Sequence, residues 1–129
     1  MSSLGRWMRS RMGLGAMLLV GLAQSGCNGG GTAPTANEIV LGHFASMTGS
    51  EATFGISTDN GIKLALEEIN AAGGVKGKTV RLITYDDKGD AREAGSAVTR
   101  LVTKDRVTAV LGEVASGLSL AGAPVCQEN

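Results

Sequence analysis

The chain has 129 residues, of which 12 are basic, 12 are acidic and 20 are glycine. This length allows one small domain, and a net charge of zero argues against nucleic acid as a partner because it indicates no basic surface. The single histidine, His43, rules out a multi-histidine metal site, and two cysteines are too few for a disulfide scaffold.

The first 26 residues have the layout of a secretory signal rather than of a folded domain. Three arginines, Arg6, Arg9 and Arg11, precede an apolar run at residues 12–23, and small residues follow. The run is about a dozen residues long, whereas a membrane-spanning helix needs about 20, so a permanent transmembrane helix is the weaker alternative. We therefore predict that residues 1–26 are a signal peptide and that the protein is exported to the periplasm.

Cys27 directly follows these small residues, an arrangement that resembles the lipobox of bacterial lipoproteins. In that family the cysteine is acylated and becomes the first residue of the mature protein, so the resemblance implies a lipid bilayer anchor at Cys27. The alternative is ordinary cleavage nearby, with Cys27 as a free thiol. Residues 27–37 are rich in glycine at their start, and we predict that they form a flexible tether.

The first strand and helix are predicted within residues 38–74. A short apolar run at residues 39–44 is typical of a buried strand. Asn70 is expected on the outer side of the following helix, which ends at two glycines because glycine adopts the left-handed cap conformation without steric cost. The inner face of that helix is predicted from four apolar residues at helical spacing: Ile62, Ala65, Leu66 and Ile69.

The same alternation occurs twice more along the chain. A second strand is predicted at residues 80–85, followed by Asp90 as the N-cap of a helix and Glu93 at the reciprocal capping-box position. A third strand at residues 107–111 precedes a helix that Ser116 is placed to cap. The second helix is predicted to bury Ala94, Val98, Leu101 and Val102, and the third to bury Cys126 as a small apolar residue.

The element order is therefore βαβαβα, which predicts an α/β fold with a three-layer, Rossmann-like parallel sheet and helices on both faces. Doubly wound sheets usually contain five or six strands, so these three strands are expected to form an incomplete lobe. We assign the whole of residues 38–129 to that lobe.

Ligands of open parallel sheets bind beyond the carboxyl ends of the strands, so the candidate site lies in the loops that follow the three predicted strands. None of these loops has a dinucleotide fingerprint, a phosphate-binding loop or a hydrolase nucleophile elbow. We therefore predict no cofactor, no metal and no catalytic residues. Asp86 and Asp87 point to opposite sides of an extended segment, so turn and capping roles are favoured over acid–base chemistry, and His43 is predicted to be structural.

The start of the third predicted helix is the candidate ligand contact. Free backbone N–H groups and the helix dipole at Ser116 and Gly117 favour a carboxylate without any cationic side chain. The residues alone leave open whether Ser116 contacts a ligand or only caps the helix. They also leave open whether Phe54 lines a pocket or only packs.

Two segments carry a family likeness: N-A-A-G-G-V-K-G at residues 70–77 and Y-D-D at residues 85–87. With them, residues 38–129 resemble the branched-chain amino-acid-binding proteins of bacterial ABC importers, which are type I periplasmic binding proteins of the leucine-binding kind. The resemblance implies that this chain is the N-terminal part of a receptor whose two lobes close on a ligand.

The resemblance also implies roles for particular residues and partners. Ala115, Ser116 and Gly117 match the loop that contacts the ligand's α-carboxylate, and Phe54 matches an aromatic residue that lines the pocket. The implied partners are an amino acid and an ABC permease of the inner membrane. Other ligand contacts of the family lie in segments that this chain lacks, so weak binding is expected.

Two alternatives remain open at the level of the sequence. One is a ligand-sensing receptor domain of the same fold, which a neighbouring permease gene would argue against. The other is a small α/β enzyme, which substrate turnover lost on Ser116→Ala would support.

Overall fold

The computed structural model describes residues 35–129. The predicted signal peptide, Cys27 and residues 28–34 of the predicted tether lie outside this range. The elements in chain order are β1 (Glu38–Ala45), α1 (Ala52–Ala71), β2 (Thr79–Asp86), α2 (Ala91–Thr99) continued by a π-helical turn (Arg100–Lys104), β3 (Ala109–Leu111) and α3 (Ser116–Glu128).

The three strands form one parallel sheet in the order β2-β1-β3, as the alternating pattern predicts. β1 is the central strand and pairs with β2 along its whole length. β3 is shorter than the predicted 107–111. The Val107 N–H donates to the Leu101 carbonyl at 3.2 Å and closes a turn, whereas the Thr108 N–H donates to the Val40 carbonyl of β1 at 2.7 Å. The predicted α/β fold is confirmed.

The helices cover both faces of the sheet. Side chains of successive strand residues point to opposite faces. On one face, Thr84 of β2 donates a hydrogen bond of 2.8 Å to Asp59 of α1. On the other, Gly42 and Phe44 of β1 face α2 and the π-helical turn that continues it, and a Cβ on Gly42 would lie 2.9 Å from Leu101 Cδ1 in that turn. α1 therefore packs on one side of the sheet, and α2 and α3 pack on the other.

The hydrophobic core lies between the sheet and the α2–α3 pair. The predicted inner face of α2 is confirmed, because Ala94, Val98 and Leu101 are fully buried and Val102 packs against them. Phe44 of β1 completes this cluster from the centre of the sheet. The strand that carries the first candidate-site loop is thereby held at the middle of the core.

The start of α2 has half of the predicted capping box. Asp90 is the N-cap, and its Oδ1 accepts the backbone N–H groups of Arg92 at 2.8 Å and Glu93 at 3.2 Å. The reciprocal half is wrong, because the Asp90 N–H donates to the Asp87 carbonyl at 2.9 Å instead of to the Glu93 side chain. The turn before the helix supplies the acceptor that a capping box would have supplied.

α1 buries less of its predicted inner face than expected. Leu66 is buried, but Ala65 and Ile69 are exposed, so the four-residue stripe is only partly right. Asn70 lies on the sheet side rather than the outer side, since its amide exchanges two 2.8 Å hydrogen bonds with the backbone of Val80. α1 packs mainly against the edge strand β2 and the central strand β1, and this narrow contact covers one strip of the helix.

The end of α1 follows its prediction. Gly73 and Gly74 both have positive φ, at 99° and 74°, and the Gly74 N–H donates to the Ile69 carbonyl at 2.9 Å. A Cβ at Gly74 would also lie 2.1 Å from the Lys78 carbonyl oxygen, so both the positive φ and the close approach require glycine there.

The prediction for Cys126 is wrong, because this residue is exposed. α3 packs on α2 through Gly122, where a Cβ would lie 2.7 Å from Val98 Cγ2, and through the half-buried Val125. Cys126 follows one position later around the helix and falls outside that contact, near the end of α3.

Candidate functional site

The loops after β1, β2 and β3 lie at one edge of the sheet because the strands are parallel. One side chain from each loop meets the others in a buried group that we call the loop cluster: Ser46, Asp87 and Glu113. Ser46 Oγ lies 2.9 Å from Asp87 Oδ1 and 3.1 Å from Glu113 Oε1, and the Ser46 N–H donates to the same glutamate oxygen at 3.0 Å. The loop cluster therefore ties together the three loops that border the candidate site.

The adjacent acids Asp86 and Asp87 have separate partners, as the sequence predicts. Asp86 accepts the Met47 N–H at 2.9 Å and the Thr48 hydroxyl at 2.7 Å. Burial raises the pKa of Asp86, but its hydrogen bonds outweigh burial and hold the pKa below its ordinary value. The pKa of Asp87 is raised, mainly by burial and further by the carboxylates of Glu113 and Asp86. Both residues organise loops.

A cleft of about 190 Å³ lies beside the loop cluster. Phe54 is exposed over 60% of its surface and Val114 over 54%, so the cleft has apolar walls that are open to solvent. Phe54 lies in the first turn of α1, because the helix begins at Ala52. The cleft is lined by Glu51, Phe54, Glu113, Val114 and Ala115. The structure thus brings together two predicted site residues, Phe54 and Ala115.

The other two predicted site residues, Ser116 and Gly117, are exposed at the N-terminus of α3, directly beyond the cleft lining. The prediction that Ser116 caps this helix is wrong. Ala115 is the N-cap residue, and no side chain in residues 35–129 accepts an N–H from the first turn of the helix. Glu113 Oε2 accepts the N–H of Ala115 itself. Within the described range, neither the Ser116 nor the Gly117 backbone N–H meets an acceptor.

Glu113 is the site residue that sequence reasoning missed. It is 9% exposed, it contacts Ser46 of a different loop, and it lies against the start of α3. The available signal was an acidic residue just ahead of a predicted helix N-terminus, where a carboxylate is stabilised by free N–H groups and by the helix dipole. Because Glu113 accepts the Ala115 N–H, the N–H groups of Ser116 and Gly117 are the ones left at that helix end for a ligand.

His43 has the predicted structural role. It is completely buried, and its Nδ1 lies 3.3 Å from the Leu111 carbonyl oxygen of β3. In the part of the chain that the structure describes, no three His, Cys, Asp or Glu side chains are grouped so as to hold a metal ion.

Comparison with known proteins gives a consistent set of relatives. The model of the family described as periplasmic binding protein matches residues 38–129. An amino acid binding protein of Pseudomonas aeruginosa is 34% identical over 91 residues, which are 70% of this chain and 24% of that protein. The Leu/Ile/Val-binding protein BraC3 of Rhizobium johnstonii is 37% identical over 98 residues, which are 75% of this chain and 26% of that protein.

Solved structures agree with these relatives in fold. The branched-chain amino acid transporter substrate-binding protein LivJ of Streptococcus pneumoniae, in complex with isoleucine, matches 70% of this chain and 26% of its own, at 37% identity and a TM-score of 0.69. A solute-binding protein of an ABC transporter from Rhodopseudomonas palustris, in complex with 3,4-dihydroxybenzoic acid, matches 71% of this chain and 25% of its own, at 27% identity and a TM-score of 0.66.

The chain thus spans about a quarter of the length of the relatives that it matches. The match covers all three strands and all of α1, α2 and α3, and the resemblance to the branched-chain amino-acid-binding proteins is confirmed. The chain belongs to the periplasmic binding protein family.

Proposed function

We propose that the chain is part of the substrate-binding component of an ABC importer and that it contacts the carboxylate of an amino acid. The observation that carries the proposal is the open N-terminus of α3, which lies beside an apolar cleft at the carboxyl edge of the parallel sheet. The relatives named for binding leucine, isoleucine and valine support this class of ligand.

The chemistry of the α3 N-terminus suits a carboxylate. The N–H groups of Ser116 and Gly117 are free to donate, and the helix dipole favours a negative charge in front of them. The Ala115 N–H is already used by Glu113, so the ligand takes the two donors that follow and the Ser116 hydroxyl. Phe54 and Val114 supply an apolar surface for an aliphatic side chain.

A second class of ligand is an aromatic carboxylic acid. The relative from Rhodopseudomonas palustris holds 3,4-dihydroxybenzoic acid, which shares the carboxylate with an amino acid but has no ammonium group. The same helix N-terminus and the same apolar wall would serve both ligands. Leucine is our first candidate because more of the relatives carry branched-chain names.

We also propose that this site binds without catalysing a reaction. Ser116 is the exposed hydroxyl at the site, and a serine nucleophile needs a base within hydrogen-bond reach. The one histidine of the chain, His43, is buried in the sheet with Nδ1 directed at the Leu111 carbonyl. A binding role is in keeping with the family.

We also propose how the protein is exported and held at the membrane. Residues 1–26 have the pattern of a signal peptide, and the family is named for the periplasm. Across residues 35–129, no helix has the length and apolar character needed to span a bilayer. We propose that acylated Cys27 holds the domain at the membrane, where an ABC permease receives the ligand.

The test compares two substitutions of Ser116 in ligand-observed NMR titrations of the full chain with leucine. Ser116→Ala removes only the hydroxyl. Ser116→Pro also removes the N–H, and proline suits this first helical position because Ala115 before it is extended, at φ −79° and ψ 113°. A hydrogen bond to a charged group is worth about 1.5–3 kcal/mol, so Ser116→Pro is expected to weaken leucine binding about tenfold or more beyond Ser116→Ala.

Leucine itself is expected to bind at millimolar strength or weaker, and isopentylamine, which keeps the side chain but lacks the carboxylate, to bind less. 3,4-Dihydroxybenzoate tests the second class of ligand in the same titration. Equal binding by Ser116→Pro and Ser116→Ala, or equal binding of leucine and isopentylamine, would contradict the proposed carboxylate site.

A further inference from the structure

The loop cluster contains more acceptors than donors. A serine hydroxyl has one proton, yet Ser46 Oγ lies within hydrogen-bond distance of two carboxyl oxygens, Asp87 Oδ1 at 2.9 Å and Glu113 Oε1 at 3.1 Å. If both carboxyl groups were ionised, the hydroxyl could satisfy only one of these contacts. All three residues are buried, at 0%, 0% and 9% exposure, so an unsatisfied contact is costly.

The remaining donors leave one oxygen without a partner. Asp87 Oδ1 accepts the Gly89 N–H at 2.9 Å, while Glu113 accepts the N–H groups of Ser46 and Ala115. Asp87 Oδ2 is buried and meets no donor among the described residues. The orphaned oxygen belongs to the more deeply buried of the two acids.

The ionisable groups that face the cluster are acidic. From the β2–α2 loop, Asp86 adjoins Asp87, and from the β3–α3 loop comes Glu113. Glu51, at the end of the β1–α1 loop, lines the same cleft as Glu113. The nearby cation, Lys88, lies 4.0 Å from Glu93 of α2 and forms no ion pair with the cluster. An additional proton is therefore the simplest way to reduce the buried negative charge.

We propose that Asp87 and Glu113 share one proton in a pH range above that in which an ordinary carboxyl group is protonated, and that this proton joins the three loops at the candidate site. One carboxyl group donates to Ser46 Oγ, and the Ser46 hydroxyl donates to the other carboxylate. Both short contacts are then satisfied by two protons, one from the serine and one from the acid pair. The proposal concerns the loops and does not depend on which ligand the cleft binds.

The raised pKa of Asp87 agrees with a shared proton. Burial raises the pKa of Asp87 and the neighbouring carboxylates raise it further, against the opposing hydrogen bonds from Gly89 and Ser46. A folded-state pKa above the unfolded value means that the folded protein binds more protons in that window. Stability from this group therefore falls as pH rises from the unfolded pKa to the folded pKa.

The direct test is ¹³C NMR of the side-chain carboxyl groups in the full chain, titrated from roughly pH 3 to pH 9. The two resonances are assigned with Asp87→Asn and Glu113→Gln. We expect the pair to titrate in two steps, the upper one at least about one pH unit above an ordinary carboxyl group. The amide resonances of Ser46 and Ala115 are expected to follow that upper step. Two carboxyl groups that titrate together in the ordinary range would overturn the proposal.

The pH dependence of thermal unfolding is a second test. A purely structural role of Asp87 would not make the difference in unfolding midpoint between variant and wild type change with pH. Asp87→Asn places N–H donors where the proposal places a proton, so its unfolding midpoint is expected to rise relative to the wild type as pH increases from about 4 to 8. Asp86→Asn is the matched control on the adjacent residue. The pKa of Asp86 is lowered on balance, because its hydrogen bonds outweigh burial, so this variant is expected to lose stability relative to the wild type as pH rises from acid. A constant difference between Asp87→Asn and the wild type across this range would contradict the shared proton.

Discussion

Gly55 lies in the first turn of α1, where the helix passes against the backbone of the β1–α1 loop. A Cβ at this position would lie 2.0 Å from the Ser46 carbonyl oxygen and 2.7 Å from its carbonyl carbon. Both atoms are backbone and cannot rotate away, so Gly55→Ala must move the helix or the loop. Overpacking of a well-packed site costs about 1–3 kcal/mol, and we expect the free energy of unfolding to fall by at least that amount.

Gly61 provides the matched control on the same helix. A Cβ there would meet nothing within 4 Å, and the position is exposed. Gly61→Ala is expected to stabilise the protein by about 0.5–1 kcal/mol, because alanine loses less backbone entropy in a helix than glycine does. The two substitutions are chemically identical but have opposite predicted signs.

The assay is thermal unfolding of the full chain followed by circular dichroism. For a domain of this size, 1 kcal/mol corresponds to about 4–8 °C in the unfolding midpoint. We expect a lower midpoint for Gly55→Ala and a slightly higher one for Gly61→Ala. Equal shifts, or a stabilised Gly55→Ala, would refute the close approach of α1 to the Ser46 loop and with it the placement of Phe54 at the cleft.

Three further predictions address stability and anchoring. Asp59 is 1% exposed and bonded to Thr84 and Lys63, so Asp59→Asn is expected to cost about 1–3 kcal/mol at neutral pH. Burial raises the Asp59 pKa, but the bonds from Lys63 and Thr84 hold it below its ordinary value. The difference in unfolding midpoint should therefore shrink as pH falls through that pKa, and a difference independent of pH would contradict this. Asp90→Ala removes the acceptor at the start of α2 and should lower the midpoint more than the exposed Ser96→Ala, and an equal effect would argue against the cap. Cys27→Ala should abolish fatty-acid labelling and release the protein from the membrane fraction, whereas retained label would exclude Cys27 as the anchor.

Local sequence patterns predicted the α/β element order and the helix α2 that packs in the hydrophobic core. The inner face of α2 and the glycine end of α1 follow from residue spacing and from the conformational freedom of glycine, and both are found in the structure. The prediction for α1 fails at Ala65 and Ile69, because helical periodicity gives the direction of an apolar face but not the width of the surface that covers it. The main contacts of α1 with the sheet are to β1 and β2.

The candidate site was only partly predictable because its organising contacts join distant loops. Ser46 and Glu113 are 67 positions apart, and Ser46 and Asp87 are 41 apart. No local pattern marks such a pair, and each residue alone suggests a turn or a solvated charge. The predicted capping role of Ser116 fails because the helix begins at Ser116 itself, which makes Ala115 the N-cap residue, and the Ala115 N–H is held by the Glu113 carboxylate.

The central claim is that the N-terminus of α3 receives a ligand carboxylate, and an amide chemical-shift map tests it most directly. The ¹⁵N-labelled chain is titrated with leucine and, separately, with isopentylamine. We predict that leucine shifts the amide resonances of Ser116 and Gly117 most strongly, with smaller changes at Phe54, and that isopentylamine leaves the two α3 amides unchanged. The claim is contradicted if the largest shifts fall in the groove between α1 and β2 that Lys63 and Leu82 line, or if both compounds shift Ser116 and Gly117 equally.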